Sequence, residues 1–139
     1  TMIVLDSSAA CDMVRKTEEG MAFRALMLSE EKVISCELLR AEVVSIFRKL
    51  CRHGFIPIEK VQSFLTESTA LVNEYYSIQE LQEEVLSESI RLDHSSYDMF
   101  YFVLARRFGA TLFTLDRKLI RLCEEQGVQC VAILENGEF

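Results

Sequence analysis

The chain has 139 residues, half of them hydrophobic and 27% charged, which is enough length and apolar content to bury a core as one domain spanning 1–139. Its net charge of −7 argues against a simple basic nucleic-acid binder, although charge is unevenly spread: residues 59–98 hold nine acids against two bases, a difference equal to the whole net charge. Five cysteines at irregular spacing, with no Cys-x-x-Cys pair, read as reduced core residues, not as a disulfide framework or zinc site. No apolar run approaches membrane-spanning length, and Met2–Leu5 is too short and lacks a basic leader for a signal peptide, so a cytoplasmic protein is expected.

In chain order, Met2–Leu5 is a short apolar run predicted to form a buried strand that ends at Asp6. Ser7 and Ser8 then open a helical hairpin reaching about residue 29. Lys32 to Cys36 is a second strand, with β-branched Val33 and Ile34. Leu39, Val43, Ile46 and Leu50 recur at helical spacing until Gly54. Pro57 suits the first turn of the next helix, Tyr75 to Ile78 a short extended piece, and Leu81, Val85 and Ile90 a further helix. Ser95 or Ser96 can cap a helix whose body, Met99 to Ala105, is apolar on nearly every side apart from its tyrosines, and Gly109 stops it. A short strand leads to Asp116, a helix carries Leu119, Ile120 and Cys123, Gly127 ends it, and Gln129 to Leu134 is a last strand before a flexible tail, 135–139. Strands alternating with helices predict a three-layer α/β/α domain around a mainly parallel sheet. Functional groups gather at the carboxyl ends of such strands, so Asp6 and Asp116 should share one sheet edge.

Capping alone accounts for any one of three acids: Asp6 and Asp116 at the starts of their helices, and Asp98 as the acidic member of a Ser-x-x-Asp capping box. Capping does not require all three on one edge. Glu42 is less easily explained, because it sits about 60–70° from the centre of the Leu39–Val43–Ile46–Leu50 stripe, on the shoulder of the buried face. Arg48 is two turns away and Arg40 points elsewhere, so no local ion pair holds it. Glu37, Asp12 and Asp93 are weaker candidates. His53 and His94 belong to no recognisable motif, no Ser-His-Asp or Cys-His pairing supports a side-chain nucleophile, and five scattered glycines make no phosphate loop.

Four converging carboxylates repel one another unless cations are present. An all-oxygen set suits Mg²⁺ or Mn²⁺, ions that activate water for in-line attack and stabilise the leaving oxygen of a phosphodiester. Basic residues at Arg48, Lys49 and Arg52, and at Arg106, Arg107, Arg117, Lys118 and Arg121, offer a rim for a polyanion.

The segments Ile3-Val4-Leu5-Asp6-Ser7-Ser8-Ala9, Leu39-Arg40-Ala41-Glu42-Val43, Ser96-Tyr97-Asp98 and Gly109-Ala110-Thr111-Leu112-Phe113-Thr114-Leu115-Asp116, in this order and spacing, resemble the PIN domains, and among them the VapC toxins of toxin–antitoxin pairs. The likeness runs from Met2 to about Leu134. It implies that Asp6, Glu42, Asp98 and Asp116 bind Mg²⁺ or Mn²⁺ and that the family's small polar position falls on Thr114; Thr114 or Ser8 is expected to tune the acids. It further implies an endoribonuclease that hydrolyses RNA with a metal-activated water, homodimerises and is inhibited by a cognate antitoxin protein. Arg117, Lys118 and Leu119 follow Asp116 where some relatives carry another acid, which leaves a second metal weakly held. The alternative is a catalytically weak PIN-like RNA- or protein-binding module. A haloacid-dehalogenase phosphatase is disfavoured because Ser8, not Asp, stands two residues after Asp6, and a receiver because paired early acids and a late lysine are lacking.

Overall fold

The computed structural model describes residues 2–27 and 30–133. Strand β1 (Met2–Leu5) is followed by α1 (Ser7–Arg15) and α2 (Glu18–Leu26), then β2 (Lys32–Cys36) and α3 (Leu38–Arg52). A 3₁₀ turn at Ile58–Lys60 runs into α4 (Val61–Ala70), and β3 (Glu74–Tyr76) leads to α5 (Ile78–Arg91) and α6 (Ser96–Phe108). The chain closes with β4 (Thr111–Phe113), α7 (Arg117–Gln126) and β5 (Cys130–Val131).

Every strand pairing is parallel, in the order β3-β2-β1-β4-β5. Strand β1 is central, with Ile3 beside both Val33 and Thr111, and Ile3, Val4 and Leu5 are essentially inaccessible. A strand buried on both faces reads as a continuous apolar run, which is what Met2–Leu5 is. Helix α1 packs on α2, α3 and α4, while α5 packs on α6 and α6 on α7. The two groups cover opposite faces, giving the three-layer α/β/α fold expected from the sequence. The order explains the split. The chain moves from β1 outward to β3, then returns to β4 and moves outward the other way, and right-handed crossovers put helices of opposite travel on opposite faces. The reversal leaves a switch point between β1 and β4, where α/β sheets open a crevice at their carboxyl ends.

Helix α6 occupies the centre of its layer. Met99 through Ala105 are all buried, and the helix packs on β1, β2 and β4. Gly109 ends it in the left-handed region at φ 60°, where the absence of a Cβ removes the steric penalty. Its last turn is tied to α5: Arg106 pairs with Glu84 (2.7 Å) and Glu88 (2.6 Å), and Arg107 pairs with Glu84 (2.9 Å).

Several local expectations change. Pro57 precedes the 3₁₀ turn instead of lying in the helix, because its carbonyl accepts from Lys60 N (3.0 Å) and closes that tighter turn. The extended piece is Glu74–Tyr76; Ser77 and Glu80 form a reciprocal capping box, so Ile78 already belongs to α5. The last strand is Cys130–Val131, with Gln129 adding one bond to Leu112 (2.9 Å). The expectations for Leu134 and for the 135–139 tail fall outside the described residues.

One close approach sets the α1–α2 hairpin. A Cβ on Gly20 would run into the Asp12 carbonyl and the backbone beside it. Gly20→Ala is expected to destabilise the protein by about 1–3 kcal/mol through this overlap, read as a lower urea midpoint at unchanged slope.

Candidate active site at the β1–β4 switch point

Asp6 follows β1 directly and is 5% exposed. Its Oδ1 accepts from Ala9 N (2.9 Å), capping α1, and from Ser8 Oγ (2.7 Å), while its Oδ2 accepts from Thr114 Oγ1. Ser8 Oγ in turn accepts from Leu115 N (3.0 Å), and Thr114 Oγ1 from Asp116 N (3.0 Å). Two hydroxyls thus stitch the end of β1 to the segment after β4. All three bonds to Asp6 favour its ionised form, yet its pKa is raised to about 7, because burial outweighs them and Asp98 adds repulsion.

Asp98 lies in the first turn of α6. Burial and the nearby Asp116 carboxylate raise its pKa to about 6, against a smaller pull from His94, whose Nε2 is 3.2 Å from Oδ2. The capping-box explanation for Asp98 does not hold, since Ser95 makes no side-chain capping bond. Asp116 does cap α7, accepting from Lys118 N (2.9 Å) and Leu119 N (3.1 Å).

Glu42 stands half-buried on the shoulder of α3. Its Oε1 accepts from Ser7 Oγ (3.1 Å) and from the hydroxyl of Tyr101 (2.5 Å), which is 1% exposed. Burial and the Glu42 carboxylate push the Tyr101 phenol well above its usual pKa, so it remains a donor. Tyr101 also feels the charge of Asp6, so both carboxylates lie near this one side chain.

Asp98 and Asp116 are therefore in close contact, Asp6 lies within the field of Asp98, and Glu42 joins them through Ser7 and Tyr101. Among the described residues no lysine or arginine forms an ion pair with Asp6, Glu42, Asp98 or Asp116. Arg40 is held by Glu37 (2.7 Å) and lies over the Tyr75 ring. Oxygen donors with unneutralised charge fit a hard divalent cation. Closure is incomplete, for no three His, Cys, Asp or Glu side chains among the described residues converge as a ready-made metal cluster.

Three contributors escaped the sequence reading. His94 stands four residues before Asp98, a spacing that could have exposed it. Tyr101 is a polar tip in an apolar run, three residues after Asp98 and so on the same side of the helix. Ser7 carries no signal beyond its place at a helix start. Conversely, Arg106 and Arg107, expected on a basic rim, are engaged by Glu84 and Glu88 at the far end of α6.

A parallel α/β/α sheet with one buried and three half-buried acids about its switch point defines the class of protein. The sequence profile of the PIN domain matches residues 3–125, and the chain belongs to the PIN domain family, generally a nuclease fold. Among solved structures, the chain is similar to PAE2754 from Pyrobaculum aerophilum, with a TM-score of 0.68, 19% identity, and coverage of 87% of this chain and 84% of that one. At that identity the likeness is one of fold. No curated protein sequence matches. No helix among the described residues is long and apolar enough to cross a membrane.

The raised pKa of Asp6 makes stability depend on pH. The folded state keeps a proton that the unfolded chain, at its ordinary 3.8, releases; the resulting stabilisation is full below pH 3.8 and lost as pH rises through about 7. Asp6→Asn should therefore raise the melting temperature of the metal-free protein above pH 7, with the gain shrinking toward pH 4, as followed by circular dichroism across that range. A marked loss at every pH would make the cap to Ala9 its dominant role.

Proposed function

We propose that this protein is a Mg²⁺- or Mn²⁺-dependent endoribonuclease, the VapC-like toxin of a toxin–antitoxin pair, acting in the cytoplasm as a homodimer and restrained by a cognate antitoxin protein. The observation that carries the catalytic part is the set of carboxylates at the β1–β4 crevice that no lysine or arginine pairs among the described residues, with Asp6 pushed upward by burial and the charge of Asp98, and Asp98 by burial and the charge of Asp116. Such a site is stabilised by a cation and disfavours a bare anionic substrate. Family membership supplies the nuclease class, and the resemblance of the four acid-bearing segments to VapC sequences supports the toxin assignment.

In this reading Asp6, Glu42, Asp98 and Asp116 hold the ion, which when bound supplies Lewis acidity toward water and the scissile phosphate. Ser8 and Thr114 fix the Asp6 carboxylate, Tyr101 and Ser7 aim Glu42, and His94 orients Asp98. The intact acid set weighs against the alternative of a catalytically weak binding module.

The direct test incubates purified protein with RNA, with and without Mg²⁺ or Mn²⁺, beside Asp98→Asn. Cleavage should require the ion, and Asp98→Asn should lose more than about a hundredfold in rate, beyond what loss of a supporting partner costs. Cleavage without metal, or an unimpaired variant, would sink the mechanism. Tyr101→Phe, which removes only the donor to Glu42, should weaken metal affinity by about 10–100-fold in a Mn²⁺ titration, with little change in fold.

A further inference from the structure

Beside the carboxylates a cleft of about 450 Å³ opens between α3 and the start of α6. Glu42 and Ser7 lie at its inner end. Its long wall is one face of α3: Leu38, Glu42, Ser45, Ile46 and Lys49 recur at helical spacing, and the rise from Glu42 to Lys49 is about 10 Å. The opposite wall presents Tyr97, which is 61% exposed and immediately precedes Asp98. Lys49 is exposed, and no acid holds it among the described residues, in contrast to Arg106 and Arg107.

An aromatic face, a free ammonium and an apolar floor within one cleft that begins at the acids meet the needs of a nucleotide chain. Stacking on an aromatic ring takes any base whose face is free, and a cation tracks the backbone. Paired bases in an A-form helix have their faces covered by their neighbours, so only an unpaired segment can use such a platform. We propose that the cleft seats single-stranded RNA leading away from the cleaved phosphate, with a base stacked on Tyr97 and a backbone phosphate on Lys49. The inference rests on the nuclease reading and adds to it two side chains outside the acid set that hold the substrate strand, Tyr97 by stacking on a base and Lys49 by meeting a phosphate.

The test measures binding apart from cleavage. The Asp98→Asn protein, in Mg²⁺, is titrated into a fluorescein-labelled uridine octamer and into a labelled RNA duplex of equal length, and anisotropy is followed. Adding Tyr97→Ala should weaken octamer binding about tenfold or more, while Tyr97→Phe keeps it. Adding Lys49→Ala should flatten the dependence of log K on log salt by about 0.7, one phosphate contact fewer on a single strand. Binding of the duplex should be weaker and indifferent to Tyr97. Unchanged octamer affinity in Tyr97→Ala, as expected of a cleft that takes an apolar peptide instead, would overturn the proposal, as would a duplex bound as tightly as the octamer. Steady-state cleavage in the otherwise native protein separates the two levels. If that protein cleaves RNA and neither Tyr97→Ala nor Lys49→Ala raises KM, the cleft assignment fails alone; if it neither binds nor cleaves RNA, the nuclease reading fails with it.

Discussion

Burying Asp6 at the end of the central strand is the constraint around which the molecule is arranged. A carboxylate there meets a helix N-terminus and two hydroxyls, and each of these partners favours negative charge. Burial still dominates and lifts its pKa to about 7. The outcome follows from magnitudes: removing a charge from water costs several kcal/mol, and neutral donors return only part of it. Ser8 and Thr114 hold the carboxylate and the β4 exit in one piece, so the crevice between β1 and β4 is rigid where its charge is least comfortable. A nearby positive charge would relieve that cost, which is the physical basis of the proposed cation.

Helix α6 shows how one element serves stability and chemistry at opposite ends. Its buried body fixes the sheet-facing layer, and its last turn is clamped to α5 by Arg106 and Arg107 against Glu84 and Glu88. The pairing with Arg91 and Arg106 holds the Glu88 carboxyl down at about 2. Part of the acidic run between residues 59 and 98 is thereby neutralised by bases from outside it, and those bases are lost to any polyanion. The first turn of the same helix carries Asp98 beside Asp116, where among the described residues only His94 approaches Asp98 and its pull is outweighed by burial and the second carboxylate. The contrast separates acids paired with arginines, which stabilise a helix contact, from acids held beside one another, which do not.

Much of this could be read along the chain, and the reasons are local. Met2–Leu5 is too apolar and too short to be anything but a buried strand; Gly109 and Gly127 stop helices because they alone adopt positive φ cheaply; and Asp6 and Asp116 announce helix starts wherever they lie. The position of Glu42 on the shoulder of an apolar stripe is likewise a property of helical geometry, visible before any fold is known. The Ser77–Glu80 capping box was equally local, though it emerged only with the structure. From these pieces the alternation of strands and helices, the parallel sheet and the shared edge of Asp6 and Asp116 follow with few alternatives.

The tertiary structure decided what the acids face. Nothing within a few residues of Tyr101 says that its hydroxyl meets Glu42 from 59 residues away, or that Thr114 reaches Asp6 across 108. The capping role attributed to Asp98 disappeared because Ser95 offers no side-chain bond, and the Arg106–Arg107 pair left the rim because α5 happens to lie against it. Periodicity, capping and turn chemistry act over one or two turns of chain, so sequence determined the elements, their order and the residues they expose. Desolvation and charge pairing depend on neighbours from distant elements, and only the packed α/β/α structure could assign Asp6 and Asp98 their strained ionisation and leave Lys49 and Tyr97 open beside them.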